Sequence, residues 1–313
     1  MRVTLLLGAE AEAALQPLPC NGFQTAAWVQ AVAADQDIDY RFCALAVDRP
    51  DGPLYLPGAL RHRFGLPIFE AMPLGGASPW LAATPPDADA QLAGYRAALS
   101  ARYWLKIALV LPPQADPAMP TPDGQAGTLH HTHLLRLSPE PDQLYSRFGK
   151  RLQTQLRHSA EHYAIERQDG AGAAEYHRVY LQGSTRWSNR PARLYGERFF
   201  QVLGDSGIAD FWFARHQDRS VAAAVFLKGR DEVFYFGSGL LDSPLKSSPM
   251  DKLMWQALRH YGQQGYASLN FGASNGLAGV CRFKEKFGAS RVAYLALERH
   301  LPWLNLREVR DGR

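Results

Sequence analysis

Short apolar runs, separated by proline, glycine and polar clusters, alternate along the chain between a two-residue and a helical period. The opening MRVTLLLGAEAEA predicts a strand. FQTAAWVQAVAA (residues 23–34) places Trp28, Val29 and Val32 at helical spacing and predicts a short helix. FCALAV (42–47) and LYLPGAL (54–60) flank RPDG, where Pro50 presets φ and Gly52 completes a turn, so the pair predicts a hairpin. After MPLGGASPW, the stretch DADAQLAGYRAALSA predicts a helix and YWLKIALVL (103–111) a largely buried strand. The proline-rich PPQADPAMPTPDG (112–124) interrupts regular structure.

The second half opens at Ser138 and Pro139 with one long basic helical pattern, SPEPDQLYSRFGKRLQTQLRHSAEHY. AAEYHRVYLQGSTRW and LYGERFFQVL predict helices, followed by the strands ADFWFARH, SVAAAVFLKG and EVFYFGSG, the last two joined by a tight turn at GRDE. A further helix start combines Ser248 as N-cap, Pro249 at the first position and Asp251 in the first turn, and its end is marked by Gly262 and Gly265. The strand ASLNFG, a glycine-rich bend, the short helix VCRFKEKFG and the strand VAYLALER complete the pattern. Each half therefore runs helix, antiparallel strands, helix, strand. That predicts an α+β (mixed α/β) fold duplicated as residues 1–140 and 141–313.

Composition narrows the class. A chain of 313 residues with 46% hydrophobic and 20% charged positions has enough apolar surface for two folded domains. The net charge of +4 is compatible with an anionic substrate and demands none. Cys20, Cys43 and Cys281 are odd in number and widely spaced, which argues against a disulfide framework or zinc site and suggests a reducing cytoplasm. Glu10 and Glu12 interrupt any signal-like segment, and no run of apolar residues is long enough to predict a transmembrane helix.

Candidate chemistry concentrates in LNFGASNGLAGVCRFKEKFG (269–288). The strand delivers Asn270 and Gly272 to a sheet edge, and the glycines at 272, 276 and 279 permit a sharp turn or a close approach to ligand. Arg282 and Lys284 follow on helical positions with different directions, with Lys284 the preferred inward one. Two readings stand here: a site, or a connection whose glycines serve packing and whose cations lie in water.

The stretch resembles the C-terminal signature of the FemAB-like branch of the GNAT acyltransferase superfamily, also called the BioF2-like or CelD-like acetyltransferase domain. That signature is written DFGRS, a spacer, G, then FK and a W-G pair. Its counterparts are NFGAS (270–274), Gly279, Phe283-Lys284 and Phe287-Gly288. FLKGRDEVFYFGSG, the helix from Ser248 and the basic SRFGKRLQTQLRHSAEHYAIE are similar to the family's hairpin, central helix and linking helix. The resemblance covers most of residues 142–298; to the N-terminal half it extends only weakly, through FQTAAWVQAV and PLGGASPW. It implies tandem GNAT-like domains, each a mixed, largely antiparallel sheet flanked by helices, and transfer of an acyl or aminoacyl group to an amine. Asn270 stands where the pattern has Asp, Ala273 where it has Arg and Phe287 where it has Trp.

Amine acylation needs a free amine, a proton acceptor, and a cation or N–H donors where charge develops on the carbonyl oxygen. Lys284, Asn270 and Tyr235 are the catalytic candidates, with Arg282 a second choice of cation and Glu285 a second choice of base. Gly272, Ser274, Arg282 and Phe283 are candidate substrate contacts, as are Gly75, Gly76 and Ser78 of the PLGGAS bend. The basic run contributes Arg147, Lys150 and Arg157, for phosphates or simply as a solvated face. Lys246, Ser247 and Ser248 at a helix start are candidates for a donor anion, although GLLDSPLKSSPMDKL lacks the glycine cluster of an acetyl-CoA loop. His131 and His133 share one strand face without a third ligand, so no metal is expected. Cys281 lacks a partnered base and is expected to pack.

The implied donor is an acyl-CoA, used as co-substrate with no tightly bound cofactor. Aminoacyl-tRNA is the alternative donor, because that branch of the family also lacks the glycine loop. The implied acceptor is an amine on a sugar, amino acid or envelope precursor, a small molecule or a nucleotide-linked one; no DNA partner is expected. A third reading, motivated by Asn270 and Ala273, is a non-catalytic ligand-binding protein of the same fold.

Overall fold

A computed structural model of the chain describes residues 2–101, 104–113, 127–159, 161–187, 191–242, 247–274 and 276–300. In chain order the strands are β1 (Val3–Leu7), β2 (Arg41–Val47), β3 (Leu54–Arg63), β4 (Leu66–Glu70), β5 (Lys106–Val110), β6 (Thr128–Arg136), β7 (Ala164–Gln168), β8 (Ala209–His216), β9 (Arg219–Lys228), β10 (Glu232–Leu240), β11 (Ser268–Asn270) and β12 (Ser290–His300). The helices are α1 (Ala9–Leu15), α2 (Ala26–Gln36), α3 (Ala88–Ser100), α4 (Pro141–Ser146), α5 (Lys150–Ser159), α6 (Ala173–Ser184), α7 (Glu197–Asp205), α8 (Pro249–Gln263) and α9 (Ala278–Glu285). Contacts divide the chain into two compact units. The first takes in Met1–Leu18, Ile38–His130 and the chain from Ala293, and the second takes in Pro19–Asp37 and His131–Val292.

In the first unit the strand order is β1-β2-β3-β4-β5-β12. Among the described residues the neighbouring pairs there are antiparallel except β4 and β5, which run parallel across the α3 crossover. Asp87 caps α3 by accepting the Ala90 N–H at 2.8 Å, and the helix buries Tyr95, Ala98 and Leu99 against Leu45, Leu56, Phe69 and Ile107. In the second unit the order is β6-β11-β10-β9-β8-β7, again antiparallel apart from one pair, β10 and β11, joined through α8. The Ser248 hydroxyl accepts the Asp251 N–H at 3.3 Å and Pro249 occupies the first turn, as the sequence pattern predicts. Leu253, Met254, Ala257 and Leu258 of α8 fill the core with Phe226, Val233 and Leu269. Both units are α+β, each a mixed, mainly antiparallel sheet with helices.

The compact units do not divide at residue 140. Helix α2 lies with the second unit because its aromatic face is buried there: Trp28 meets Phe199 and Phe236 edge-on at 5.5 and 5.3 Å, and Phe23 meets Phe234 at 4.7 Å. Asp35 then accepts the Gly196 N–H at 2.6 Å. The strand that completes the first sheet, β12, comes from the far end of the sequence. The long basic helix expected from residue 138 is two helices. It breaks after Ser146, where Phe148 turns into the core, and α5 ends before the new edge strand β7. Neither α1 nor β4 stands out in the sequence pattern.

One irregularity positions the site. Strand β11 pairs with β10 only through Glu232, Val233 and Phe234, opposite Ser268, Leu269 and Asn270. Beyond that point β10 continues to Leu240, with a register shift against β9 between Tyr235 and Gly237. The two parallel strands thus part at their carboxyl ends, where ligands enter open sheets.

Replacing Trp28 by Ala removes the centre of the aromatic cluster that ties α2 to the second unit. Its unfolding free energy, measured by denaturant titration, is expected to fall by ~3–5 kcal/mol; a change below about 0.5 kcal/mol would place the helix outside that unit's core.

Candidate active site

Where β10 and β11 part, the Asn270 side chain is the junction. It is buried, and its Oδ1 accepts the Thr132 hydroxyl at 2.5 Å and the Gly272 N–H at 2.9 Å. Its Nδ2 donates to Glu232 Oε1 at 3.3 Å. The Glu232 carboxyl, at the start of β10, is pushed up to about 7 by desolvation, against the opposing effect of hydrogen bonds from Asn270 and Ser268. It keeps partial exposure, so a proton can reach it. Gly272 has φ 70°, and an added Cβ would stand 3.0 Å from the Phe234 ring, so glycine is required there. By contrast, a Cβ at Gly279 would meet open space.

On the other face of the sheet, α9 closes over the bend. Lys284 is 2% exposed, and its Nζ donates to Gly272 O at 2.8 Å and Ala273 O at 2.7 Å. Desolvation brings this ammonium down to about 8. Arg282 points to solvent, so Lys284 is the inward cation, but its bonds hold the bend and are not aimed at a substrate carbonyl. Phe283 packs on Phe287 with ring centroids 5.5 Å apart. His133, which the sequence suggests only as an unsupported metal ligand, sits beneath the bend. Its Nδ1 lies 3.3 Å from the Ser274 hydroxyl and its Nε2 lies 3.8 Å from Glu285 Oε1. Burial, together with Lys284 and Arg291 and against Glu285, holds the imidazole below its ordinary value and therefore neutral at pH 7. Among the described residues no group of three His, Cys, Asp or Glu is arranged to hold a metal ion.

The remaining candidates scatter. Tyr235 faces the core beside Phe226 and Phe271, bonds Ser238 Oγ at 2.6 Å, and is pushed up to about 12 by burial, so it cannot serve as a base near neutrality. Ser247 accepts the Tyr163 hydroxyl through its carbonyl at 2.9 Å, Ser248 is committed to its cap, and Lys246 lies outside the described residues. Arg147, Lys150 and Arg157 are exposed, and the break between α4 and α5 takes Arg147 off the shared helical face. In the first unit Gly75 and Gly76 lie in a half-exposed turn, while Ser78 is fully buried, its N–H on Val110 O and its carbonyl accepting the Tyr95 hydroxyl, both at 2.8 Å. Sequence reasoning passed over Glu232 and Thr132, because their only signal is pairing with Asn270 across the sheet.

Residues 146–285 match the model of the acetyltransferase (GNAT) domain. Among solved structures, FemX is similar over 94% of this chain and 97% of its own, at a TM-score of 0.69 and 11% identity. The C-terminal domain of a protein described as a lysylphosphatidylglycerol synthetase from Agrobacterium fabrum covers 91% of this chain and 90% of its own, at 0.58 and 12%. L-PGS from Bacillus licheniformis covers 96% and 95%, at 0.54 and 15%. No curated protein matches the chain by sequence. No helix among the described residues is long and apolar enough to cross a membrane. The motif at 270–288, the matched domain around it and the shared fold agree: residues 146–285 form an acetyltransferase (GNAT) domain, and the chain has the fold of FemX.

Proposed function

We propose that the second unit moves an acyl group from an acyl-CoA thioester to an amine, with Glu232 as the proton acceptor. The observation that carries this reading is the parting of β10 and β11 after Phe234 and Asn270, with the Asn270 amide of that last pair bonded to the Glu232 carboxyl, which desolvation pushes up to about 7. The acyl arm lies along the edge of β10 beyond Phe234, where backbone groups no longer pair with β11 and are free to bind the donor and its carbonyl oxygen. The amine nitrogen attacks the carbonyl carbon, the C–N bond forms, the C–S bond breaks, and the amine proton passes to Glu232. Asn270 orients that carboxylate and acts through it. Lys284 acts through the bend: a buried ammonium already committed to two carbonyls fixes Gly272 and Ala273. This replaces the direct charge-stabilising role expected from the sequence.

One of the fold relatives carries the name of lysylphosphatidylglycerol synthesis, which supports aminoacyl-tRNA as the second reading of the donor. The acceptor proposed from the sequence, an amine on a sugar, amino acid or envelope precursor, stands under either donor. Free-thiol release from an acyl-CoA panel, run beside deacylation of charged tRNA, each with a mixed amine pool, separates them. Silence in both, with measurable binding of CoA or a nucleotide-sugar, favours the non-catalytic reading.

A carboxylate raised to about 7 is protonated and idle below that pH, so kcat/KM is expected to climb about tenfold per pH unit up to pH 7 and then level. Glu232→Gln should lower kcat/KM by about 100-fold or more and abolish that limb. A retained limb in the variant would remove Glu232 from the mechanism. The lowered Lys284 value means that the unfolded chain binds more protons than the native one between pH 8 and the ordinary lysine range. The wild type should therefore gain stability relative to Lys284→Met as pH rises from 8 to 10, by at most about 1.4 kcal/mol per unit, measured by urea unfolding. A flat difference would show the ammonium to be solvated.

A further inference from the structure

Strands β3 and β4 form a hairpin that outruns its neighbours in the first sheet. Pairing of β3 with β2 ends at Leu60, opposite Arg41, and pairing of β4 with β5 begins at Ile68, opposite Lys106. The last pairs of the hairpin, His62 with Pro67 and Arg63 with Leu66, lie past the ends of both neighbours. Three residues of β3 and the turn therefore stand about 10 Å beyond the start of β2 at the usual strand rise. The turn is Phe64-Gly65, with φ of 54° and 75°. Positive φ at both centres is the I′ hairpin pattern, whose first position favours Asn, Asp or Gly and disfavours a bulky ring. Phe64 nevertheless occupies it and is 77% exposed, the most exposed large apolar side chain among the described residues.

The charge around this ring has one sign. Residues 61–66 read RHRFGL, with two guanidiniums, an imidazole and no carboxylate. The Arg63 guanidinium lies over the Phe64 ring, 5.2 Å from its centroid, and no ion pair holds it among the described residues. Arg61, at the base of the tip, reaches Glu70 at 3.9 Å, but that carboxylate also accepts the Tyr40 hydroxyl and pairs with Lys106 at 3.5 Å. A single strand of RNA is held by a basic groove lined with stacking rings, whereas here one ring stands on a projection. A rigid protein partner would need a cavity shaped to that projection. A lipid interface needs none: the ring enters the acyl boundary, the arginine stems lie beside it, and their heads meet the phosphates.

We propose that the β3–β4 tip is a peripheral attachment point for a bilayer rich in anionic phospholipid, with Phe64 inserted below the headgroups and Arg61 and Arg63 on their phosphates. This attachment is independent of the reaction assigned to the second unit. It gives the strained turn residue a use, because Asn at 64 would ease the backbone and remove the anchor. One ring and two guanidiniums make the attachment weak, reversible and sensitive to salt.

The test sediments the full chain with vesicles of phosphatidylcholine alone and with vesicles of phosphatidylcholine and phosphatidylglycerol in equal parts. Wild type is expected to partition onto the mixed vesicles at low salt, to leave them above about 0.5 M NaCl, and to ignore phosphatidylcholine alone. Phe64→Asn should weaken partition by about fivefold or more while melting at or above the wild-type temperature, and Arg63→Glu should weaken it by about tenfold or more. Leu74→Ser removes an exposed leucine past the opposite end of β4 and should bind as wild type does. In Phe64→Trp the added emission should be quenched by phospholipids brominated on their acyl chains. Equal binding to both vesicle types, no binding to either, wild-type binding by Phe64→Asn, or an unquenched added Trp overturns the proposal. A short RNA bound by wild type and lost in Arg63→Glu, with vesicles ignored, overturns it in favour of nucleic acid; a dimer dissolved by Phe64→Asn overturns it in favour of a second copy. A lower melting temperature for Phe64→Asn would show that the ring packs, and overturns it as well.

Discussion

The second unit depends on an early stop in strand pairing. Strands β10 and β11 share three residue pairs and then part, and the Asn270 side chain bridges the last pair to Thr132, Gly272 and Glu232. An amide is the group this junction requires. A carboxylate at 270, as the family signature has it, would stand within hydrogen-bond distance of Glu232, and two buried carboxylates so close cannot both ionise. The amide donates through Nδ2 to Glu232 and accepts through Oδ1 from two donors. The departure from the signature therefore leaves the Glu232 carboxyl bonded to an amide at this junction, with no second carboxylate at 270 beside it.

Adjacent residues of β6 serve the two faces of this junction. Side chains alternate across a strand, so Thr132 supports Asn270 on one face and His133 meets Ser274 on the other. Lys284 stabilises the bend that joins the two sides. Its ammonium is costly to bury, and the two carbonyls it binds offset that cost only in part, which is why its affinity for a proton falls.

Local signals were legible and distant pairings were not. The cap at Ser248, the hairpins, the glycine bend and the inward direction of Lys284 can all be read from a few consecutive residues, because each is decided by neighbours within a turn or two. Glu232 meets Asn270 across 38 residues of sequence, and Thr132 meets it across 138. Neither contact leaves a periodic trace, so the base was sought at Tyr235, whose strand parity points it into the core. The same limit hid the allegiance of α2: Trp28 and Phe23 announce an amphipathic helix, but only the aromatic surface of Phe199, Phe234 and Phe236 decides which sheet it covers.

The duplicated topology gives an internal control on where chemistry can occur. The first unit also has one parallel pair, β4 and β5, matched through Ile68, Phe69 and Glu70 with Lys106, Ile107 and Ala108. There the chain after β4 turns back through the PLGGAS bend. The Ala71 N–H bonds Ala108 O and the Ser78 N–H bonds Val110 O, both at 2.8 Å, so backbone occupies the ground that β11 leaves open in the second unit. The positive φ angles of Met72 and Leu74, 57° and 56°, are strain that a mere loop would not keep, and they fold the bend against β5. The glycine-rich bend of the first unit is thus held against its own sheet. The two copies of the topology differ where ligands enter open sheets: the bend's backbone follows β5 in the first, whereas β10 and β11 part after Phe234 and Asn270 in the second.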